Sequence, residues 1–396
     1  MANSTQGKLL SILGLTKSAE LLVSPKTTLP WVIQAVGAPS WLLPLLMPIK
    51  ESGSLIPQWF IRQSIFVHFP NRLLLWQAGA IAQCLAIFAI AIGSVTTTSV
   101  LFAILCLIAL TLLSIGRAFC SLSMKEIQAH WVDKGERGHI LGNADVMSGL
   151  ITIVFAIGII AIGDQLSLIA LGALIGAGAI LVGAAIVVTL SSRSVHVNVK
   201  GAKGRGWRQS VVQVRRDRTL KNLIISRVLV VHSVLAIPFI VSDTVASSVH
   251  SIGFFLILSA LASVFSAKIW GDNSDRNAIH TLRIASLIGV IAIAFYVLVP
   301  STEYSLWVSY AIFLILNVSH TGIRLARKTY LLDITNDQNR ADYVAVGNTI
   351  VGVMLLVLGI GYAWLYSAIG DNLPVILACI SVIGIFQSYQ LTARKM

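Results

Sequence analysis

An all-α membrane protein of twelve transmembrane helices in two pseudo-symmetric six-helix bundles is the fold class the sequence predicts, on three observations. Hydrophobic residues make up 56% of the 396 and charged ones 11%, against about 25% charged in soluble domains. So few charges cannot cover a water-exposed surface of this size, whereas lipid needs few. Apolar runs recur along the chain at lengths near the about 20 helical residues that cross a hydrocarbon core. Lysine and arginine collect between alternate runs, as expected of an even number of spans with both ends cytoplasmic.

In order along the chain, residues 1–27 are expected to form a cytoplasmic segment. Its K-L-L-S-I-L-G-L-T-K stretch has helical apolar spacing and suits an amphipathic helix lying on the leaflet. Residues 28–190 hold the first bundle, with spans near 29–49, 53–69, 73–94, 98–121, 141–163 and 166–190. Span one carries Pro30, Pro39, Pro44 and Pro48, read as bends. Span two is short and carries Arg62; span six, L-G-A-L-I-G-A-G-A, has small residues four apart for close helix packing. Residues 191–220 form a basic cytoplasmic linker suited to anionic lipid headgroups. Residues 221–396 hold the second bundle, with spans near 221–242, 248–270, 279–299, 304–326, 343–365 and 372–391.

On this topology all 29 Lys and Arg except Lys50, Arg62, Arg117 and Arg227 lie on the cytoplasmic side. Lys50 falls in an opposite-side loop, where Glu51, Asp164, Asp243, Glu303 and Asp371 also collect. The net charge of +13 then follows from loop position, and no nucleic-acid partner is expected. Cys84, Cys106, Cys120 and Cys379 sit in apolar runs without C-x-x-C spacing and read as small buried hydrophobes. No cleavable signal is evident, since prolines rather than a small-residue cleavage site follow the first apolar run. The chain lacks a G-x-x-x-x-G-K-[ST] loop, H-E-x-x-H spacing and a G-x-S-x-G elbow, so no enzyme, nucleotide-driven pump or cofactor is expected.

The two halves look related. The loops K-E-I-Q-A-H-W-V-D-K-G-E-R-G and K-T-Y-L-L-D-I-T-N-D-Q-N-R-A align so that Lys125 meets Lys328, Arg137 meets Arg340 and Gly149 meets Gly352. Between spans eight and nine stands G-x-x-x-D-R at Gly271, Asp275 and Arg276; between spans two and three stands V-H-F-P-N-R, with Asn71 and Arg72. With E-R-G at Glu136, Arg137 and Gly138 and G-R at Gly116 and Arg117, the chain resembles the major facilitator superfamily. The resemblance implies a secondary transporter in which two bundles rock about a central site. It also implies that Asp275 and Arg276 help hold an inward gate shut, with Asn71, Arg72, Gly271, Arg137 and Arg340 as further gate candidates. Asn71 replaces the acid of the first motif copy, and span five lacks the G-P-x-x-G-G word of drug–proton antiporters.

Charges inside a membrane are costly and mark function. The candidates are Arg62, Arg117, Arg227, His232 and His320, with Asp145 as the plausible acid. Arg117, Arg227 and Arg324 equally suit helix ends where arginine snorkels to the interface. Gln34, Gln58, Asn143, Asn317 and Asn348 add hydrogen-bonding groups that serve either substrate or a neighbouring helix. Cations and histidines outnumber acids, so a small anionic or amphipathic metabolite of organic-acid, peptide or siderophore class is favoured. Its movement is expected to be proton-linked, through His232, His320 or Asp145, by a monomer in the cell inner membrane. A proton-antiport exporter is the alternative, ahead of a non-transporting sensor or membrane enzyme.

Overall fold

The computed structural model describes residues 2–133, 136–163, 167–197, 206–244, 251–299, 306–335 and 340–391. Among them every regular element is a helix, apart from one isolated bridge between Asn71 and His196. Asp164, Glu303 and linker residues 198–205 lie outside the described residues.

The first departure from expectation is at the N-terminus. Helix α1 (Ala2–Leu22) is followed, across a turn containing Pro25, by α2 (Thr28–Val36). Leu9, Ile12 and Leu22 are buried, so α1 is not an interfacial helix but part of the core. The reversal comes at Gly37, in the left-handed conformation at φ 70°. Its N–H donates to the Gln34 carbonyl and that of Ala38 to Ile33, the bond pair of a glycine-terminated helix. The expected span 29–49 is therefore cut in two, and Pro39 and Pro44 mark a turn and a helix start rather than bends.

The second pass is built from α3 (Leu43–Leu55), α4 (Pro57–Phe60) and α5 (Phe66–His68), with a π-helical turn at Ile61–Ile65. Its linking residues keep helical dihedrals, so the pass reads as one helix. Lys50 and Glu51 lie inside α3, not in a loop. There follow α6 (Arg72–Thr96), α7 (Ser99–Trp131), α8 (Arg137–Ile162) and α9 (Leu168–Leu190), then a linker helix α10 (Trp207–Arg216). The next pass is broken into α11 (Arg218–Val230), α12 (His232–Leu235) and α13 (Ile237–Asp243), with Pro238 opening the last piece. The chain closes with α14 (Ser251–Arg276), α15 (Ala278–Leu298), α16 (Leu306–Asp333), α17 (Arg340–Ile369) and α18 (Leu373–Ser388).

Among the described residues nine stretches are long and apolar enough to cross a membrane, from Arg72–Thr96 to Tyr343–Ser388. The last of these holds both α17 and α18, separated by a turn at Gly370. The first two passes are not among the nine, because Lys8, Lys17, Glu20, Lys50 and Glu51 interrupt them. Leu74, Leu85, Ile108, Leu150, Ile180 and Trp364 are large, apolar and exposed, an outer surface suited to lipid.

In the first half α6 packs on α7 and α9, and α1 on α8 and α9. In the second α16 packs on α14 and α15, and α18 on α11 and α15. The most extensive helix contacts between the halves are α3 with α17 and α8 with α14. A Cβ on Gly149 of α8 would stand 3.0 Å from Val264 of α14, and one on Gly352 of α17 would stand 2.8 Å from Ile56 beside α3. These glycines, paired by the sequence repeat, thus sit at the two matching junctions, where a small residue permits close helix approach.

Candidate functional site

Helix α2 bridges to the second half at two points: the Gln34 amide donates to the Ser242 hydroxyl of α13 at 2.5 Å, and the Trp31 indole to the Ser251 hydroxyl at the start of α14 at 3.3 Å. Nearer the middle, Lys26, in the turn after α1, crosses to α16. Its ammonium donates to His320 Nδ1 at 2.6 Å and to Asn317 Oδ1 at 3.3 Å. An ammonium cannot accept, so Nδ1 is the acceptor and the ring proton sits on Nε2.

Around this link lies a charged cluster that charge placement from sequence assigned elsewhere. Lys50, Glu51, Arg117 and Arg324 are electrostatic neighbours of Lys26. Arg327 acts on both Glu51 and His320. Arg117 is ion-paired to Glu20 at 2.9 Å, and both line one cavity with Lys50 and Gln83. Along α16, Asn317 and His320 are 9% exposed, whereas Arg324 and Lys328 further along are exposed. Spacings of three and four put these residues on one helix face, so the cluster opens to water toward the C-terminal end of α16.

A second polar bridge runs beside it. Arg227 on α11 donates to Asn348 Oδ1 on α17, and the Asn348 amide donates to Gln58 Oε1 at 2.7 Å. Thr349 adds bonds to the Leu55 and Ile56 carbonyls at 3.5 and 3.1 Å. The α3–α17 junction is thus latched by polar groups from both halves.

Of the residues singled out from sequence, Arg117, Arg227, His320, Asn317, Asn348 and Gln58 gather here. Others do not. His232 is fully buried, its Nδ1 donating to the Leu229 carbonyl at 3.0 Å and its Nε2 bonded to the Tyr362 hydroxyl at 2.7 Å. Both ring nitrogens are committed to packing within the second half. Asp145 pairs with Lys17 at 2.6 Å between α8 and α1. Asn143 is exposed beside the exposed Val146 and Leu150 and so faces outward. Arg62 is half-buried on the π-helical turn, and no described ion pair includes it. Lys26, Lys50, Glu51, Arg327 and Lys328 are the additions. The signal for Lys50 and Glu51 was available: G-A-P at residues 37–39 is a helix stop, which places both mid-helix.

The gate candidates divide between the halves. The Arg72 guanidinium is fully buried and pairs with Glu126 of α7. It also donates to the Phe69 carbonyl at 2.6 Å and the Phe66 carbonyl at 3.2 Å, and stacks 4.0 Å from the Phe66 ring centroid. Arg137 donates to the Val132 and Ala129 carbonyls. Asp275 and Arg276 are exposed, and a Cβ on Gly271 would stand at ordinary contact distance, 4.0 Å, from Leu325. Arg340 opens α17, but its side chain lies outside the described residues. The bonds described for Arg72 and Arg137 stay inside their own half.

Among the described residues no group of three or more His, Cys, Asp or Glu could hold a metal ion. The Major Facilitator Superfamily model matches residues 68–357. No curated protein sequence matches the chain. Solved structures do. A point mutant of the nucleoside transporter NupG superposes with a TM-score of 0.74 at 13% identity, covering 98% of this chain and 99% of that one. A POT family transporter in complex with 5-aminolevulinic acid gives 0.71 at 8% identity over 97% and 94%. A D-xylose-proton symporter gives 0.71 at 11% identity over 99% of each. At these identities the likeness is one of fold.

Proposed function

Since this chain belongs to the major facilitator superfamily and is therefore a multi-pass membrane transporter rather than an enzyme, we propose that it moves a small anionic metabolite by alternating access. The observation that carries the reading is the cationic surplus between the halves: Lys26 and Lys50 from one side, Arg324 and Arg327 from the other. Gathering like charges in one partly sheltered cluster is costly unless something of opposite sign joins them. An organic anion entering the cleft supplies that sign and contacts both halves, which is what a rocking carrier requires. Transport proceeds as uptake across the inner membrane by a monomer.

Proton coupling follows from the Lys26–His320 bond. When the anion takes the Lys26 ammonium, His320 Nδ1 loses its donor and becomes free to accept a proton. Lys26, Lys50, Arg324 and Arg327 all face His320, so the proton is retained only while substrate charge offsets them. Binding of anion and proton are thereby tied together. Uptake of labelled carboxylates, phosphate esters and dipeptides into proteoliposomes tests this. Anion uptake should rise as outside pH falls, and Lys26→Met should abolish most of it. Uptake indifferent to a proton gradient overturns the coupling, and uptake of cations in place of anions overturns the substrate class.

The rival reading, proton-driven export, draws on Glu20, an acid on the first pass that lines the inner cavity. Its carboxylate is engaged by Arg117 at 2.9 Å, which leaves it poorly placed to attract a cationic drug.

A further inference from the structure

The cluster has a charge count as well as a sign. From the first half come Lys26, Lys50 and Arg117; from the second come Arg324, Arg327 and Lys328. The acids among their electrostatic neighbours are Glu20 and Glu51. Glu20 is engaged by Arg117, and Glu51 lies between Lys50 and Arg327. Even after both acids are paired, cations from each half are left without an acid. Lys26 is held by neutral acceptors, His320 and Asn317, and Lys328 has Arg324, Arg327, Lys125 and Arg117 as its charged neighbours.

A single negative charge would leave this cleft strongly positive. We infer that the site takes an organic ligand with at least two negative charges, either a phosphate monoester whose dianionic phosphate meets cations of both halves, or a dicarboxylate with one carboxylate on Lys26 and Lys50 and the other on Arg324 and Arg327. The inference rests on the anion reading above and narrows it. Arginine at one end favours the bidentate grip that phosphate and carboxylate oxygens accept. The ligand would also ease motion: Lys328 has Arg117 and Lys125 of the first half among its charged neighbours, and bringing the halves closer there crowds like charges unless a dianion lies between them.

The test uses full-length protein purified in detergent, with apparent affinity read from ligand-induced thermal stabilisation. Matched probes differ in charge at similar size: glycerol 3-phosphate against glycerate, and succinate against its monomethyl ester. In each pair the dianion should bind at least about tenfold more tightly, the scale of one added charge in such a cluster. Lys26→Met and Arg324→Gln should each remove most of that preference, while Lys26→Arg and Arg324→Lys, which keep the charge, should retain much of it and control for folding. Equal binding of monoanion and dianion overturns the inference and leaves the anion reading standing. Stabilisation by none of the anions overturns both.

Discussion

The turn between the second and third passes and the turn between α14 and α15 occupy matching places in the two halves, yet they are built differently. Asn71 caps α6, its side chain accepting from the Leu73 and Leu74 N–H groups at 3.1 and 3.3 Å. Asn277 caps α15 in the same way, accepting from His280 N–H at 3.0 Å. By helix start, Asn71 therefore matches Asn277 rather than Asp275, and the residue matching Arg72 is Ala278. In the first turn Arg72 is sealed under Phe66 and paired to Glu126. The linker joins it, with Arg72 N–H donating to the Val195 carbonyl at 2.8 Å and Val197 N–H to Pro70 at 3.0 Å. In the second turn Asp275 and Arg276 are exposed at the end of α14. One turn ties three segments into a rigid corner, and the other leaves its charges free to meet a partner when the halves move. Similar letters at similar places thus serve different ends, and the cap residue, not the arginine, is the shared part.

The contrast can be broken most directly at Arg72. Arg72→Met leaves the Phe66 and Phe69 carbonyls without their donor and the partly exposed Glu126 without its counter-ion, and should destabilise by about 1–3 kcal/mol, the scale for a stranded buried acceptor. Glu126→Leu in that background should recover part of the loss, measured by thermal unfolding in detergent. A change within error would mean that the corner is held by its backbone bonds alone. Next in size, Asn71→Ala and Asn277→Ala should each cost about 1 kcal/mol and cost nearly the same, as equivalent N-caps do. A large disparity would dissolve the proposed register. Smallest, Arg276→Ala should shift stability by no more than about 0.5 kcal/mol, the usual range for an exposed site, while changing transport if that arginine meets the other half in a closed state.

Much of the fold was legible. From α6 onward the apolar runs are long and largely uncharged, and each expected span overlaps a helix. The first two passes were misread because hydropathy rewards apolar residues and penalises charges that protein, rather than water, satisfies. Lys17 and Glu20 on α1 looked like cytoplasmic residues, but each has its counter-ion on a neighbouring helix, Asp145 and Arg117. No local pattern reveals such a partner so far along the chain. The site divided the same way. Arg117, Arg227 and His320 stood out as charges within apolar runs, whereas Lys26, Lys50 and Glu51 were hidden by a span displaced along the chain. His232 is a titratable ring in an apolar run whose two nitrogens are engaged by the Leu229 carbonyl and the Tyr362 hydroxyl, partners that its local sequence does not show.

The polarity of the first two passes bears on how the chain is made. A helix carrying lysine and glutamate partitions poorly into lipid by itself, at roughly 2.5–3.5 kcal/mol for each charge near the bilayer centre. The partners of Lys17 and Glu20 sit on α8 and α7, which are synthesised later. The N-terminal passes must therefore wait, shielded at the insertion machinery or at the bilayer surface, until those helices emerge. A chain truncated before α7 would leave Lys17 and Glu20 without their counter-ions, so these passes depend on later helices for their place in the membrane.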